Sequence, residues 1–255
     1  MATDSPALLS ALRDYLTALA DDELLLGHRD SEWTGHAPIL EEDIAFSNLA
    51  QDELGHALTW YTLAHQIGAP EPDRLAFLRD AGEFRNATLV ELPRGDWAFT
   101  VVRQYLFDAA EHVRYAALAG SAHAPIADAV AKLRSEETYH LMHSRGWLRR
   151  LGDATEESHR RMQAALDLAW PHALGLFEAM SAEDLLVAER IKPAEETLRE
   201  EWLAHVAPVL GTATLSMPAD ARPAPGGRNG RHTVNLAALL AEMQKVARLE
   251  PEAIW

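Results

Sequence analysis

Two stretches of the chain repeat one chemical pattern, in which an acidic residue is followed about thirty positions later by Glu-x-x-His. The first copy consists of Glu23, Glu53 and His56, and the second consists of Asp108, Glu137 and His140. Helical bundles that bind two metal ions take one carboxylate from each of two helices and Glu-x-x-His from each of the other two. The repeated pattern therefore predicts a carboxylate site for two metal ions.

A third Glu-x-x-His, Glu156 to His159, shows that the motif needs a second criterion. About one copy is expected by chance in a chain of this composition. Residues on the buried face of a helix recur at steps of three and four positions, and such a row of positions is called a seam below. Glu23 follows Leu16 and Leu19 on such a seam, and both other copies lie on seams too. The third copy has no apolar seam before it, so it is interpreted as an acidic, capped first turn of an exposed helix.

The same periodicity selects among neighbouring acids. Asp22, Asp52 and Glu136 lie one step off their seams and are expected to face water or a rim. The third seam carries two acids, Asp108 and Glu111. Spacing favours Asp108 as the ligand, and Glu111 is kept as the alternative.

Burial gives the metal hypothesis its physical basis. Four carboxylates in a helical core cost several kcal/mol each unless they are compensated or protonated. Two divalent cations would balance four negative charges. Carboxylate and imidazole ligands suit iron or manganese, and the absence of Cys argues against a thiolate site. The alternative is a metal-free network in which the acids pair with His, Arg103 or water.

Composition limits the remaining possibilities. The 255 residues are 48% hydrophobic, which is enough for one large helical core, and no run approaches the length of a membrane span. A net charge of −16 excludes a general nucleic-acid binder and leaves room for a basic partner protein. The N-terminus lacks the basic region of a secretion signal, and the absence of Cys fits a reducing compartment. We therefore expect a cytoplasmic protein.

The pattern predicts an all-α chain, with no β-hairpin signals. Helices are expected at about 6–27, 38–67, 96–121, 124–151, 155–180, 193–211 and 233–249. The Pro- and Gly-rich stretch 217–230 should be an irregular arm. The expected fold is a single ferritin-like domain over 1–255. Its four-helix core covers about 6–151, and the additional C-terminal helices and the arm cover about 152–255.

Several segments resemble one known family. They are Ser31–Asp43, Gln104–Asp108, Tyr139–Leu148 and Gly226–Thr233. These segments are similar to the phenylacetic acid catabolic proteins, which are ferritin-like subunits of the phenylacetyl-CoA epoxidase complex. The resemblance extends from about residue 20 to the C-terminus. Length and the C-terminal segment resemble the smaller structural subunit rather than the larger catalytic one.

The resemblance implies a multicomponent monooxygenase that uses O2 and electrons from a reductase to epoxidise an aromatic ring. The implied partners are the catalytic ferritin-like subunit of the complex, the reductase and a small accessory subunit, with self-association as a further option. The CoA thioester substrate would be bound mainly by the catalytic partner. Members of the smaller-subunit type can lack the metal ligands, whereas all six positions are retained here. The resemblance therefore leaves open whether two iron or manganese ions occupy the site, and it assigns no catalytic residue.

Two other functions remain open from the residues alone. One is an independent di-iron or di-manganese oxidase or oxygenase, which would turn over without a second chain. The other is a ferroxidase or iron-storage protein, which would assemble as a large homo-oligomeric cage. The extension beyond the bundle and the tryptophans at positions 33, 60, 97, 147, 170 and 202 favour the role of a partner in a complex, because tryptophan often anchors interfaces.

Overall fold

The computed structural model describes residues 5–218 and 220–253, and within them the chain is all-α, without a strand. Its helices are α1 (Pro6–Ser31), α2 (Leu40–Gln66), α3 (Pro72–Phe77), α4 (Thr88–Glu91), α5 (Trp97–Leu118), α6 (Ala124–Ala154), α7 (Glu156–Leu174), α8 (Glu183–Ala188), α9 (Glu195–Thr212) and α10 (Val234–Met243). The prediction of an all-helical, ferritin-like architecture is confirmed. No helix among the described residues is long and apolar enough to cross a membrane.

The helices form two compact units. Unit 1 contains Met1–Pro93 and Gly226–Trp255, and unit 2 contains Arg94–Pro225. Each unit is built around one pair of long helices, α1 with α2 in unit 1 and α5 with α6 in unit 2. The acid and the Glu-x-x-His of each copy therefore lie on two helices that pack together. The expectation of one single domain stays a prediction.

Unit 1 is held together by close packing of α1 on α2. Gly27 has no side chain, and a Cβ at this position would lie 3.1 Å from both the Ala50 carbonyl oxygen and the Glu53 Cβ. At the other end of the contact, the Tyr61 hydroxyl donates a hydrogen bond to Asp21 Oδ1 at 2.5 Å. Asp21 also pairs with Arg79. The two helices therefore run antiparallel, which brings the middle of α1 beside the middle of α2.

The chain returns to unit 1 through Gly226 and the residues that follow it. Arg228 is buried and donates to Asp22 Oδ2 at 2.5 Å, to the Ala18 carbonyl at 3.2 Å and to the Arg85 carbonyl at 2.9 Å. Gly227 has to be glycine, because a Cβ there would collide with the Asn86 carbonyl. The expectation that Asp22 faces water or a rim is therefore wrong. Asp22 is only 2% exposed, because a segment more than 200 residues later covers it.

Unit 2 adds α7 and α9 to the α5–α6 pair. The Trp202 indole on α9 donates to the Leu106 carbonyl of α5 at 3.1 Å and stacks on Trp170 at 5.0 Å. Trp33, Trp60, Trp170 and Trp202 are all buried within the chain. These four cannot serve as interface anchors, so that part of the argument for a partner in a complex is wrong.

The long helices agree with the sequence prediction to within a few residues at most boundaries. The predicted helices at 155–180 and 233–249 end earlier, at Leu174 and Met243. Three short helices, α3, α4 and α8, were not predicted. They have four to six residues each, which is too short to show a helical period. The stretch 217–230 is irregular in its described residues, apart from one turn of 3₁₀ helix at Gly227–Asn229.

Replacing Arg228 by Ala should lower the free energy of unfolding by about 3 to 5 kcal/mol, because Asp22 would stay buried without the guanidinium that neutralises it. Exposed Arg231, three residues later, is the matched control, and Arg231→Ala should change the free energy by less than about 0.5 kcal/mol. Urea denaturation followed by circular dichroism measures both. Similar losses in the two variants would contradict the importance of the Asp22 ion pair.

Candidate metal centre

The first copy of the motif forms a compact buried group in unit 1. Glu23 comes from α1, while Glu53 and His56 come from α2, and all three are at most 1% exposed. His56 Nδ1 lies 3.9 Å from Glu23 Oε2 and 3.7 Å from Glu53 Oε2. One ligand atom from each residue lies within 4.8 Å of the other two. Ligands bonded to one metal at about 2.0 to 2.2 Å are separated by up to about 4 Å, so small side-chain movements would close this group around an ion.

Local sequence explains why these three side chains meet. Glu53 and His56 are three residues apart, so both point from the same face of α2. Gly27, one turn beyond Glu23, lets α1 approach the α2 backbone next to Glu53. The short Gly27 contact and the Glu-x-x-His spacing together place two carboxylates and one imidazole in a region without water access.

The second copy is arranged differently in unit 2. On α6, His140 Nδ1 lies 3.2 Å from Glu137 Oε1, and both side chains are buried. Asp108 on α5 is fully buried, but its two oxygens accept hydrogen bonds from groups of unit 2. Ser144 Oγ donates to Oδ2 at 2.6 Å, and Gln104 Nε2 donates to Oδ1 at 2.8 Å. Among the described residues of unit 2, Asp108 does not close into a three-ligand group with Glu137 and His140.

These hydrogen bonds are compatible with a ligand role for Asp108. Each carboxylate oxygen has two lone pairs, so one donor per oxygen leaves a lone pair for a cation. Ligands of metal sites are commonly oriented by hydrogen bonds of this kind. Ser144 and Gln104 were not predicted as orienting residues. The signal was present, because both lie on the same apolar seams as Glu137 and Asp108.

Glu111, the alternative ligand on α5, is used differently. Arg114 Nε donates to Glu111 Oε1 at 3.1 Å, and Arg114 Nη1 donates to both oxygens of Glu195 at 2.9 and 3.1 Å. Lys192 Nζ lies 3.1 Å from the same Glu195. Glu111 thus belongs to a buried ion-pair network that joins α5 to the start of α9. We therefore keep Asp108 as the proposed ligand.

The third Glu-x-x-His forms the start of α7. Thr155 caps this helix, accepting a hydrogen bond from the Ser158 amide at 3.0 Å while Ser158 Oγ accepts one from the Thr155 amide at 3.1 Å. Glu156 is exposed, and His159 Nδ1 lies 2.9 Å from the Gly152 carbonyl oxygen. This agrees with the interpretation of the motif as a capped first turn. Asp52 and Glu136 are half-buried, as expected for positions beside the seams.

The donors within each unit fit a metal of intermediate hardness. Unit 1 contains a group of two carboxylates and an imidazole, and unit 2 separately contains a carboxylate and imidazole pair and the hydrogen-bonded Asp108. Oxygen and imidazole ligands without thiolate are the combination that iron and manganese accept. The buried Glu and His group of unit 1 could therefore hold a metal ion.

Two known proteins resemble the chain, one of them over nearly all of its length. The C component of the 1,2-phenylacetyl-CoA epoxidase of Escherichia coli (strain K12) is 39% identical over 97% of this chain and 100% of its own length. The A component of the same epoxidase is 28% identical over 58% of this chain and 48% of its own length. The model of the phenylacetic acid catabolic proteins matches residues 3–255, and the chain belongs to this family.

Proposed function

We propose that this chain is the structural partner subunit of a phenylacetyl-CoA epoxidase, in which the oxidation is carried out by a second ferritin-like subunit. The observation that carries the proposal is the full-length similarity to the C component, whereas the similarity to the A component covers only half of that protein. We further propose that Glu23, Glu53, His56, Asp108, Glu137 and His140 hold two iron or manganese ions. The retained ligand pattern and the buried group of unit 1 support this.

The side chains around the proposed ligands indicate whether this chain has a structural or a catalytic role. Metal ions at this site would supply redox chemistry with O2 or, without turnover, positive charge for buried carboxylates. Ser144 and Gln104 hold the orientation of the Asp108 carboxylate through hydrogen bonds to both of its oxygens. Phe46 and Trp60 in unit 1 and Tyr115 in unit 2 are each buried to 1% exposure or less. These large side chains fill space within their own units, which favours a structural role because a substrate route would need open space there.

An exposed apolar face on α2 supports assembly with another protein. Leu40, Ile44, Leu54 and Leu58 lie on one side of this helix and are 72%, 55%, 37% and 55% exposed. Their spacing of 4, 10 and 4 residues keeps them within one face at 100° per residue. Exposed apolar side chains that recur on one helix face favour a protein interface. We propose that this face contacts the catalytic subunit.

Metal loading tests the ligand assignment. Protein grown with iron or manganese should contain two metal ions per chain, and His56→Ala or His140→Ala should each reduce the metal content. His159→Ala is the matched control and should leave it unchanged, because His159 belongs to the cap of α7. Elemental analysis of the purified variants measures this. Equal losses in all three variants, or no metal after supplementation, would contradict the assignment.

Substitutions on the exposed apolar face of α2 test whether the catalytic subunit binds there. Leu54→Asp with Leu58→Asp should prevent copurification with the catalytic subunit, while the melting temperature of the isolated chain changes little because both side chains are exposed. Leu168→Asp is the control, since Leu168 is 58% exposed on α7. Loss of a homo-oligomer instead would assign the face to self-association. A size-exclusion profile of a large cage would favour the iron-storage function.

The double variant Glu53→Ala with Glu137→Ala tests whether epoxidation by the complex needs the metal site of this chain. We expect this variant to lose metal but to keep most of the epoxidation of phenylacetyl-CoA by the reconstituted complex, whereas omission of the chain should abolish it. Assembly is checked by size-exclusion chromatography, because loss of a metal bound only to the native state lowers stability. Loss of activity in a fully assembled complex would mean that the metal site of this chain takes part in oxygen chemistry. Turnover by the chain alone would favour an independent oxygenase.

A further inference from the structure

A pair of histidines lies outside the proposed ligand set in unit 2. His112 on α5 and His205 on α9 have ring centroids 5.2 Å apart and ring planes inclined by 35°. Both rings are half-buried. The Nε2 atom of His205 is buried and has no hydrogen-bond partner among the described residues. A polar ring atom in this situation costs free energy unless a ligand or water satisfies it.

A third basic side chain, Arg145 on α6, lies near this pair. Burial lowers the pKa of His205, and His112 and Arg145 lower it further by electrostatic repulsion. The Arg145 guanidinium is exposed and forms no ion pair with a described residue. Arg145 also acts on the pKa of Tyr105, which burial raises and whose buried hydroxyl has no hydrogen-bond partner among the described residues. Donors from three helices thus collect in one region.

The two acids of α5 nearest to His112 have other partners in the structure. Glu111, the residue beside His112, is bound to Arg114. Asp108, one turn before His112, accepts from Ser144 and Gln104. Uncompensated basic groups are unexpected in a chain with a net charge of −16. Among the described residues, none of the side chains of His112, Arg145 and His205 forms an ion pair with a carboxylate.

We propose that His112, Arg145 and His205 form a binding site for a phosphate-type oxyanion. A guanidinium and imidazole N–H groups are the donors that proteins use for phosphate, and charge-assisted hydrogen bonds of this kind are the strong ones. The anion would accept from His205 Nε2 and offset the repulsion among the three side chains. Arg145 is exposed, so the anion can be inorganic phosphate or the phosphate group of a larger ligand such as coenzyme A. The site itself does not depend on the proposed function.

Isothermal titration with inorganic phosphate and, separately, with coenzyme A tests the site in the intact chain. Arg145→Ala and His205→Ala should each weaken binding about tenfold or more, because each removes a charge-assisted donor. Arg134→Ala is the matched control, an exposed arginine on the same helix, and should change affinity less than about twofold. Circular dichroism confirms that the variants fold.

The outcomes separate the sources of the anion. Tighter Arg145-dependent binding of coenzyme A than of phosphate assigns the site to the larger ligand, whereas equal affinities assign it to free phosphate. Absence of binding for both probes would overturn the proposal. So would binding that survives Arg145→Ala, or binding that Arg134→Ala weakens equally. None of these results depends on metal content or on epoxidation, so failure here is distinguishable from failure of the proposed function.

The pH dependence gives a second readout, for which sulfate is the probe because it does not titrate in this range. The elements that pack most extensively on α9 are α5 with His112, α6 with Arg145, and the turn Gly175–Phe177, which carries no titratable side chain. On α9 itself, Glu201 is exposed and forms no ion pair with His205. A bound anion raises the lowered pKa of His205, so sulfate should bind more tightly as the pH falls below about 6.5. Affinity that is independent of pH, or that falls with acidification, would contradict the proposed contact with His205.

Discussion

The constraint on which unit 1 depends is the compensation of buried carboxylates on α1. Three consecutive acids, Asp21, Asp22 and Glu23, are each at most 2% exposed. Asp21 is compensated by Arg79, and Asp22 by Arg228. Glu23 instead faces another carboxylate, Glu53, and the imidazole of His56. A metal ion there would add positive charge beside Glu23 and Glu53, as the two arginines do beside the neighbouring acids.

This requirement explains why the C-terminal segment is part of unit 1 rather than an appendage. Besides the Arg228 ion pair, His232 Nδ1 lies 2.6 Å from Glu91 Oε1, and the Thr233 amide donates to Glu91 Oε2 at 2.7 Å. Glu91 is fully buried on the short helix α4. The residues after Gly226 thus supply the positive charge and the donors that the acids of α1 and α4 need. The family resemblance at Gly226–Thr233 corresponds to a structural role in this packing.

The two buried acids of α5 in unit 2 have different partners. Glu111 is committed to Arg114 and thereby ties α5 to α9, while Asp108 is held by Ser144 and Gln104. The same commitments leave His112, Arg145 and His205 without a carboxylate of their own. A proposed metal ligand and a basic cluster therefore lie on neighbouring turns of α5, where specific donors engage both of its acids.

The sequence by itself determined the long helices, the ligand spacing and the family, because a helix that buries one face repeats its apolar residues every three to four positions. That local period selected Glu23, Glu53, His56, Glu137 and His140 as inward positions and identified the cap at Thr155. Only the tertiary structure decided that Asp22 is buried, that Glu111 pairs with Arg114 and that four tryptophans lie inside the chain. Those outcomes depend on ion pairs and contacts between residues far apart in the chain, and no local period records them. The short helices α3, α4 and α8 escaped prediction for the related reason that four to six residues span less than two turns.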